Sequence, residues 1–382
     1  MRECPLPIDQ VCPEKPAPSL TRSSDTTRNF GLDLLRAVAI LMVLASHWTC
    51  HFGYWLGLHV PEAADILGDI GVELFFVLSG FLIGRILIEL VRHRPGWDEF
   101  AQFATRRALR TLPLYYLWLT LLLCVFPPAE QLAATALRFA SFTQNLLTPF
   151  PSSYYFAVTW SLSVEIWFYL LFGFLVVLLA RRSTGRAALA VSLAVFLAIP
   201  LMLRLIYTER GSIVFLRIDE IAYGVVAAWL YVRRSWLFEQ PRPLLVAGIS
   251  LNMAAFLGWV PLPADLRIPL TSNIEVIGCA MCLPAGLRLT QAPRWFEQPV
   301  RWIAARSYAL YIMHLTLLVD IAERMLLEPG WLSPLGCAAV AVIAPFPMAE
   351  LSYRFLEAPI LRRHSRPPPA PVLAPALVAA SR

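Results

Sequence analysis

Apolar residues in this chain gather in long blocks, several close to the ~20 residues needed to cross a bilayer, separated by short polar connectors. The pattern predicts a polytopic, all-α bundle of about ten spans, near 32–50, 70–91, 111–126, 161–180, 187–207, 213–232, 244–262, 270–289, 303–326 and 332–356, with the third short. Arginines alternate between the connectors. Arg92, Arg94, Arg106 and Arg107 follow the second span, Arg181, Arg182 and Arg186 the fourth, Arg233, Arg234 and Arg242 the sixth, and Arg294 and Arg301 the eighth. The intervening connectors hold little more than Arg138, Arg210 and Arg267, and the first has Glu62, Asp65 and Asp69. The positive-inside rule then puts both termini in the cytoplasm.

Composition agrees with this class: 58% hydrophobic and 15% charged residues, with a mean hydropathy of +0.61. The basic balance, with a pI near 9.0, follows from topology and attraction to anionic lipid, so no nucleic-acid partner is needed to explain it. Residues 1–29 read as a cytoplasmic disordered tail, which leaves the first span as an uncleaved anchor. Residues 30–360 read as one transmembrane domain, and the Pro-rich 361–382 as a second disordered tail, with no soluble domain expected at either end. The seven cysteines suggest no disulfide framework. Cys279 and Cys282 have redox spacing inside an apolar span, where cysteine is a small hydrophobe. His47, Cys50 and His51 lack further ligands at a recognised spacing, so no metal is expected.

Ionisable groups inside spans mark function by default. Arg36 and His47 share one span; eleven residues make roughly three turns, which puts both on one helix face about 16 Å apart. Glu73 opens the second span near the expected depth of His47. Arg106 and Arg110, one turn apart before the third, can converge on one anion, and a guanidinium donates two bonds at once to phosphate. Glu165, one turn into the fourth span, comes near the expected level of His47. There it can fix the imidazole tautomer and suit it to general-base work on a hydroxyl. Later spans add Arg217, Asp219, Glu220, Glu275 and His314, among which Arg217 with Asp219 or Glu220 is the obvious structural ion pair. Sorted by depth, Arg36, Arg106 and Arg110 gather on the cytoplasmic side and the imidazole and acids on the outer side. That asymmetry fits a polyanionic donor inside and a neutral hydroxylated acceptor outside. Glu73, Arg217, Asp219 and Glu275 are the groups expected to bind the acceptor.

These residues also form motifs. Leu32-Asp33-Leu34-Leu35-Arg36-Ala37 with His47, Glu73-Leu-Phe-Phe-Val-Leu-Ser79-Gly80-Phe-Leu-Ile83, Arg106-Arg107-x-x-Arg110 with Pro113-x-Tyr115, Ser161-Leu-Ser-Val-Glu165-x-x-Phe168-Tyr169, and Ser307-Tyr-Ala-Leu-Tyr311-x-x-His314 occur in order. Together they resemble the membrane acyltransferase 3 family, integral-membrane O-acyltransferases of bacterial surface glycans and some secreted small molecules, over about residues 29–360. The resemblance implies transfer of an acyl group, commonly acetyl, from acyl-coenzyme A to a sugar hydroxyl in the bacterial inner membrane. The family's activity-linked positions fall here on Arg36, His47, Arg106, Arg110 and Glu165. Two positions depart from it: many members have a second acid where this chain has Ile166, and many have aspartate at Glu73. The expected mechanism docks acyl-coenzyme A on Arg36, Arg106 and Arg110, with His47 as general base oriented by Glu165. A covalent acyl-histidine relay remains open, and so does a secreted glycosylated metabolite as acceptor. The rival class is a secondary transporter or flippase for a glycolipid; no second copy of Phe75-Phe-Val-Leu-Ser-Gly80 follows residue 200, which counts against it.

Overall fold

The structure, a computed structural model, describes residues 29–60, 63–93, 96–128, 131–149, 155–207, 212–323 and 333–364, and every regular element among them is helical. The two expected tails lie almost wholly outside these residues, as do Glu62, Arg94 and Arg210. The elements are α1 (Phe30–Trp55), α2 (Ala63–Leu90), α3 (Trp97–Val125), the short α4 (Leu132–Ala140), α5 (Thr159–Ala180) and α6 (Gly185–Tyr207). The broken pair α7 (Val214–Arg217) and α8 (Asp219–Val232) comes next, then α9 (Pro241–Phe256), α10 (Ala264–Met281), α11 (Leu283–Arg288) and α12 (Arg294–Leu315). α12 continues as a π-helical stretch, Thr316–Glu323, and a last rod over 334–364 carries a π-turn at Tyr353–Glu357. Helix in this rod reaches His364, past the expected start of the tail at 361.

Among the described residues, eight helices are long and apolar enough to cross a membrane: Phe30–Trp55, Ala64–Leu90, Trp97–Val125, Thr159–Ala180, Gly185–Tyr207, Pro269–Arg288, Arg294–Val319 and Leu335–Arg362. Two expected spans, 213–232 and 244–262, fall on α7 with α8 and on α9, which are too short to meet that criterion. Two boundaries also move. α2 begins at Ala63, so Asp65 and Asp69 lie within a helix rather than in a connector. α3 begins at Trp97, so Arg106 and Arg110 sit in its middle turns instead of before it. The physical reason is that Ala, Gln, Arg, Leu and Glu are strong helix formers, and no Gly or Pro interrupts them before Pro113.

α2 is apolar all round and accordingly central, packed against α1, α8 and α10. Its contact with α8 is backbone to backbone: a Cβ on Gly80 would collide with the Ile221 carbonyl, and one on Gly224 with that of Val77. Small residues permit such approach, and in lipid close packing substitutes for a hydrophobic driving force. The segment after α4 turns inward, where Gln144 and Asn145 are buried. Gln144 Nε2 donates to Ser163 Oγ at 2.6 Å, and Trp167 Nε1 to the Phe142 carbonyl at 2.9 Å. These bonds brace the first turns of α5, which carry Ser161 and Glu165.

Candidate functional site

Asn29 starts α1, its Oδ1 accepting from the Leu32 amide at 3.0 Å while its Nδ2 donates to the Leu287 carbonyl at 3.1 Å, so the cap also ties α1 to α11. One turn on, fully buried Asp33 holds Arg36 at 3.2 Å and Arg301 of α12 at 3.4 Å. That carboxylate aims the Arg36 side chain along α1 into a cavity of about 120 Å³.

Arg107 and Arg110 of α3 meet Arg36 around this cavity, with Ser79 of α2, Glu165 and Tyr169 of α5, and Tyr308 and Tyr311 of α12. Glu165 Oε1 accepts from Ser79 Oγ at 2.7 Å and from the Tyr169 hydroxyl. The Arg107 guanidinium lies 5.8 Å from the centre of the Tyr169 ring. Tyr308 donates to the Thr111 carbonyl at 2.7 Å, tying α12 to α3 across the cavity wall. Three guanidinium groups, one carboxylate and several hydroxyls thus face one space, a donor set suited to phosphate or another forked anion. Arg106 is not among them. It is exposed, donates to Gln102 at 3.2 Å one turn back, and faces a shallow depression with Asp98 and Thr105 on the outer side of α3. Buried Phe103 and Leu114 mark the inward face of α3, and Arg107 and Arg110 share it.

His47 lies farther along α1, partly buried, and its partner is a surprise. Its Nδ1 stands 2.7 Å from Nε2 of His314 on the last turn of α12, with the rings end to end, 5.0 Å between centroids and 23° between planes. The expected neighbour, Glu165, instead belongs to the arginine cavity. Tyr311 connects the two places: it lines the cavity, exchanges a 2.6 Å hydrogen bond with Ser161, and its ring centroid is 6.1 Å from that of His314. His51, one turn after His47, is close enough to interact electrostatically with both imidazoles. Among the described residues no three His, Cys, Asp or Glu side chains are arranged to hold a metal ion. Cys50 donates to Asp65 at 3.2 Å, and Cys279 is buried within α10.

Of the four groups expected at the acceptor, Glu73 and Arg217 share one buried network and Asp219 belongs to another, and none of the four lines the arginine cavity. Arg217 pairs with Glu220 at 2.6 Å and with Glu73 at 3.5 Å, and its guanidinium covers Trp160 at 4.8 Å. Asp219 belongs elsewhere: it takes a two-pronged bond from Arg204 of α6, at 2.9 and 2.6 Å. Arg204 also donates to Asn273 at 2.7 Å, to the Pro269 carbonyl at 3.1 Å and to the Leu216 carbonyl, so every guanidinium nitrogen is engaged. Asn273 returns a bond to Asp219 at 3.1 Å and another to Tyr223 at 2.9 Å. Glu275, one turn farther along α10 than Thr271, is fully buried and interacts with Cys279.

Sequence reasoning missed Arg107 and Arg204. Arg204 carried a usable signal, since an arginine inside the apolar run 187–207 demands an acid or carbonyl partner. Arg107 carried none beyond its neighbour, because two adjacent arginines differ only in which face the bundle covers.

A family model described as an acyltransferase domain matches residues 29–350. The chain is 26% identical over 365 residues to the peptidoglycan O-acetyltransferase OatA of Listeria monocytogenes, covering 86% of this chain and 55% of the relative. It is 30% identical over 370 residues to the putative peptidoglycan O-acetyltransferase YrhL of Bacillus subtilis, covering 86% and 54%. With the O-acetyltransferase OatA of Staphylococcus aureus it shares 23% over 367 residues, covering 87% and 57%. The chain therefore spans about half the length of the curated relatives it matches. No solved structure matches it.

Proposed function

The chain belongs to the acyltransferase 3 family, and from that premise we propose that it is an integral-membrane O-acyltransferase. It moves an acyl group, most simply acetyl, from acetyl-coenzyme A to a hydroxyl of a sugar in a surface or exported polysaccharide. The single observation that carries this reading is the arginine cavity beside the paired histidines. Arg36, Arg107 and Arg110 offer forked donors to the donor's phosphates, while Tyr311 joins that cavity to His47 and His314. Here Arg107 takes the part that sequence spacing assigned to Arg106. Such a carrier is met from the cytoplasm, so the cavity faces inward, both termini are cytoplasmic, and the bilayer is the bacterial inner membrane with its lipids as the solvent.

In the reaction, His47 removes the proton of the acceptor hydroxyl as its oxygen attacks the thioester carbonyl. The carbon–sulfur bond breaks, and the imidazolium returns the proton to the departing coenzyme A thiolate. Glu165, held by Ser79 and Tyr169, orders the cavity wall between the arginines and the reacting end. Glu73, Arg217, Asp219 and Glu275, buried away from the cavity, hold the helices of the bundle together. The names of the relatives point to cell-wall glycan, so chitopentaose and peptidoglycan fragments are the first acceptors to try. Purified protein in detergent, given [¹⁴C]acetyl-coenzyme A with no gradient, will label the acceptor, whereas a transporter or flippase will leave it unlabelled. His47→Ala will remain folded and lose roughly 10²–10⁴ of the rate. Unlabelled acceptor, or full activity in His47→Ala, would overturn the reading.

A further inference from the structure

We infer that His314 is a positioning residue that fixes the tautomer of His47, leaving Nε2 of His47 as the basic nitrogen that meets the acceptor. The inference rests on the acyltransferase reading only for its catalytic consequence; the hydrogen-bond pattern carries the rest. His314 Nδ1 faces two backbone carbonyls of its own helix, Leu310 at 3.0 Å and Tyr311 at 2.9 Å. A carbonyl oxygen only accepts, so this nitrogen must carry the proton. In a neutral imidazole the other nitrogen then bears the lone pair. That nitrogen, Nε2, is the atom 2.7 Å from His47 Nδ1, so His47 Nδ1 donates and its own lone pair is moved to Nε2. A second proton on His314 would place a charge at a position with no exposure, close to His51.

Three features make the arrangement specific. The acceptors of the His314 proton are main-chain atoms of α12, so the anchor does not depend on a mobile side chain. The ring sits at the last α-helical turn before the π-helical stretch Thr316–Glu323, and π-segments often mark functional positions. Trp118 Nε1 donates to Thr316 Oγ1 at 3.3 Å, pinning the start of that stretch against α3. The histidine pair thus performs the orienting role that sequence spacing assigned to Glu165. It does so without a carboxylate, which suits a base that must return its proton to a leaving thiolate.

The test uses full-length protein in nanodiscs with ¹³C,¹⁵N-labelled histidine. His47 resonances are assigned by their loss in His47→Asn. Wild type is expected to show His47 protonated at Nδ1. His314→Gln keeps an acceptor at the place of Nε2 and should preserve that tautomer, whereas His314→Met fills the space with only a weakly accepting thioether and should release it. With [¹⁴C]acetyl-coenzyme A and chitopentaose, His314→Met should lower kcat about 10²-fold, and His314→Gln should recover most of it. KM for acetyl-coenzyme A should stay within about twofold in both, because the phosphate site is untouched. Nε2-protonated His47 in wild type, or equal behaviour of the Gln and Met variants, would overturn the inference. Absence of transfer in wild type would instead overturn the acyltransferase reading, and the resonance measurement would still decide the pairing.

Discussion

Two arginine sites inside this bundle differ in what surrounds the guanidinium. Arg204 is wholly buried, and all its nitrogens are taken by Asp219, Asn273 and two backbone carbonyls. Arg36, Arg107 and Arg110 instead line a cavity in which one carboxylate, Glu165, faces three cations. Both are basic groups on helices long and apolar enough to cross a membrane, which by itself marks neither structure nor chemistry. What separates them is space: the first network closes on itself, while the second borders a cavity with room for an anion.

The sharpest way to break the comparison is to open the closed network. Arg204→Met leaves Asp219 as a buried, uncompensated carboxylate, and should cost about 3–5 kcal/mol, read as a lower unfolding temperature in detergent. Acetyl transfer per folded molecule should be unchanged, since Arg204 does not line the cavity. The opposite signature is expected of Arg107→Met: an unaltered unfolding temperature and a KM for acetyl-coenzyme A raised roughly tenfold, the loss of one charge-assisted contact. A smaller change follows from Ser79→Ala, which removes one bond to Glu165; transfer should fall by about 2–5-fold while Arg204→Met-like destabilisation is absent. Smallest of all, Arg106→Met should leave KM within about twofold, because its side chain points away from the cavity. Should Arg106→Met raise KM as much as Arg107→Met, the cavity would not be the donor site.

Much of the fold could be read from local pattern. The eight long apolar helices coincide with expected spans, and Arg36 and His47 do share α1. The pair of Arg217 with Glu220 was legible as well, being three residues apart. Errors came where a helix is amphipathic or broken. The first turns of α3 are polar enough to look like a loop, and the break at Ile218 turns Asp219 away from Arg217 and toward Arg204. In the site, Arg36 and Arg110 share a cavity with Arg107 where spacing points to Arg106, whereas Glu165 and His47, paired on depth alone, each meet a different partner.

The amino-acid sequence by itself determined that this chain is helical, that it partitions into a bilayer, and that ionisable groups lie within its spans. Each of these follows from properties summed over a window of about twenty residues, where hydrophobic transfer and intrahelical bonding dominate. Only the tertiary structure decided which of two adjacent arginines enters the cavity, that Arg204 closes on Asp219 and Asn273, and that His47 meets His314. Those outcomes join residues up to 267 positions apart. They depend on the rotation of one helix against another, a quantity no single segment encodes because it is set by the packing of all of them together.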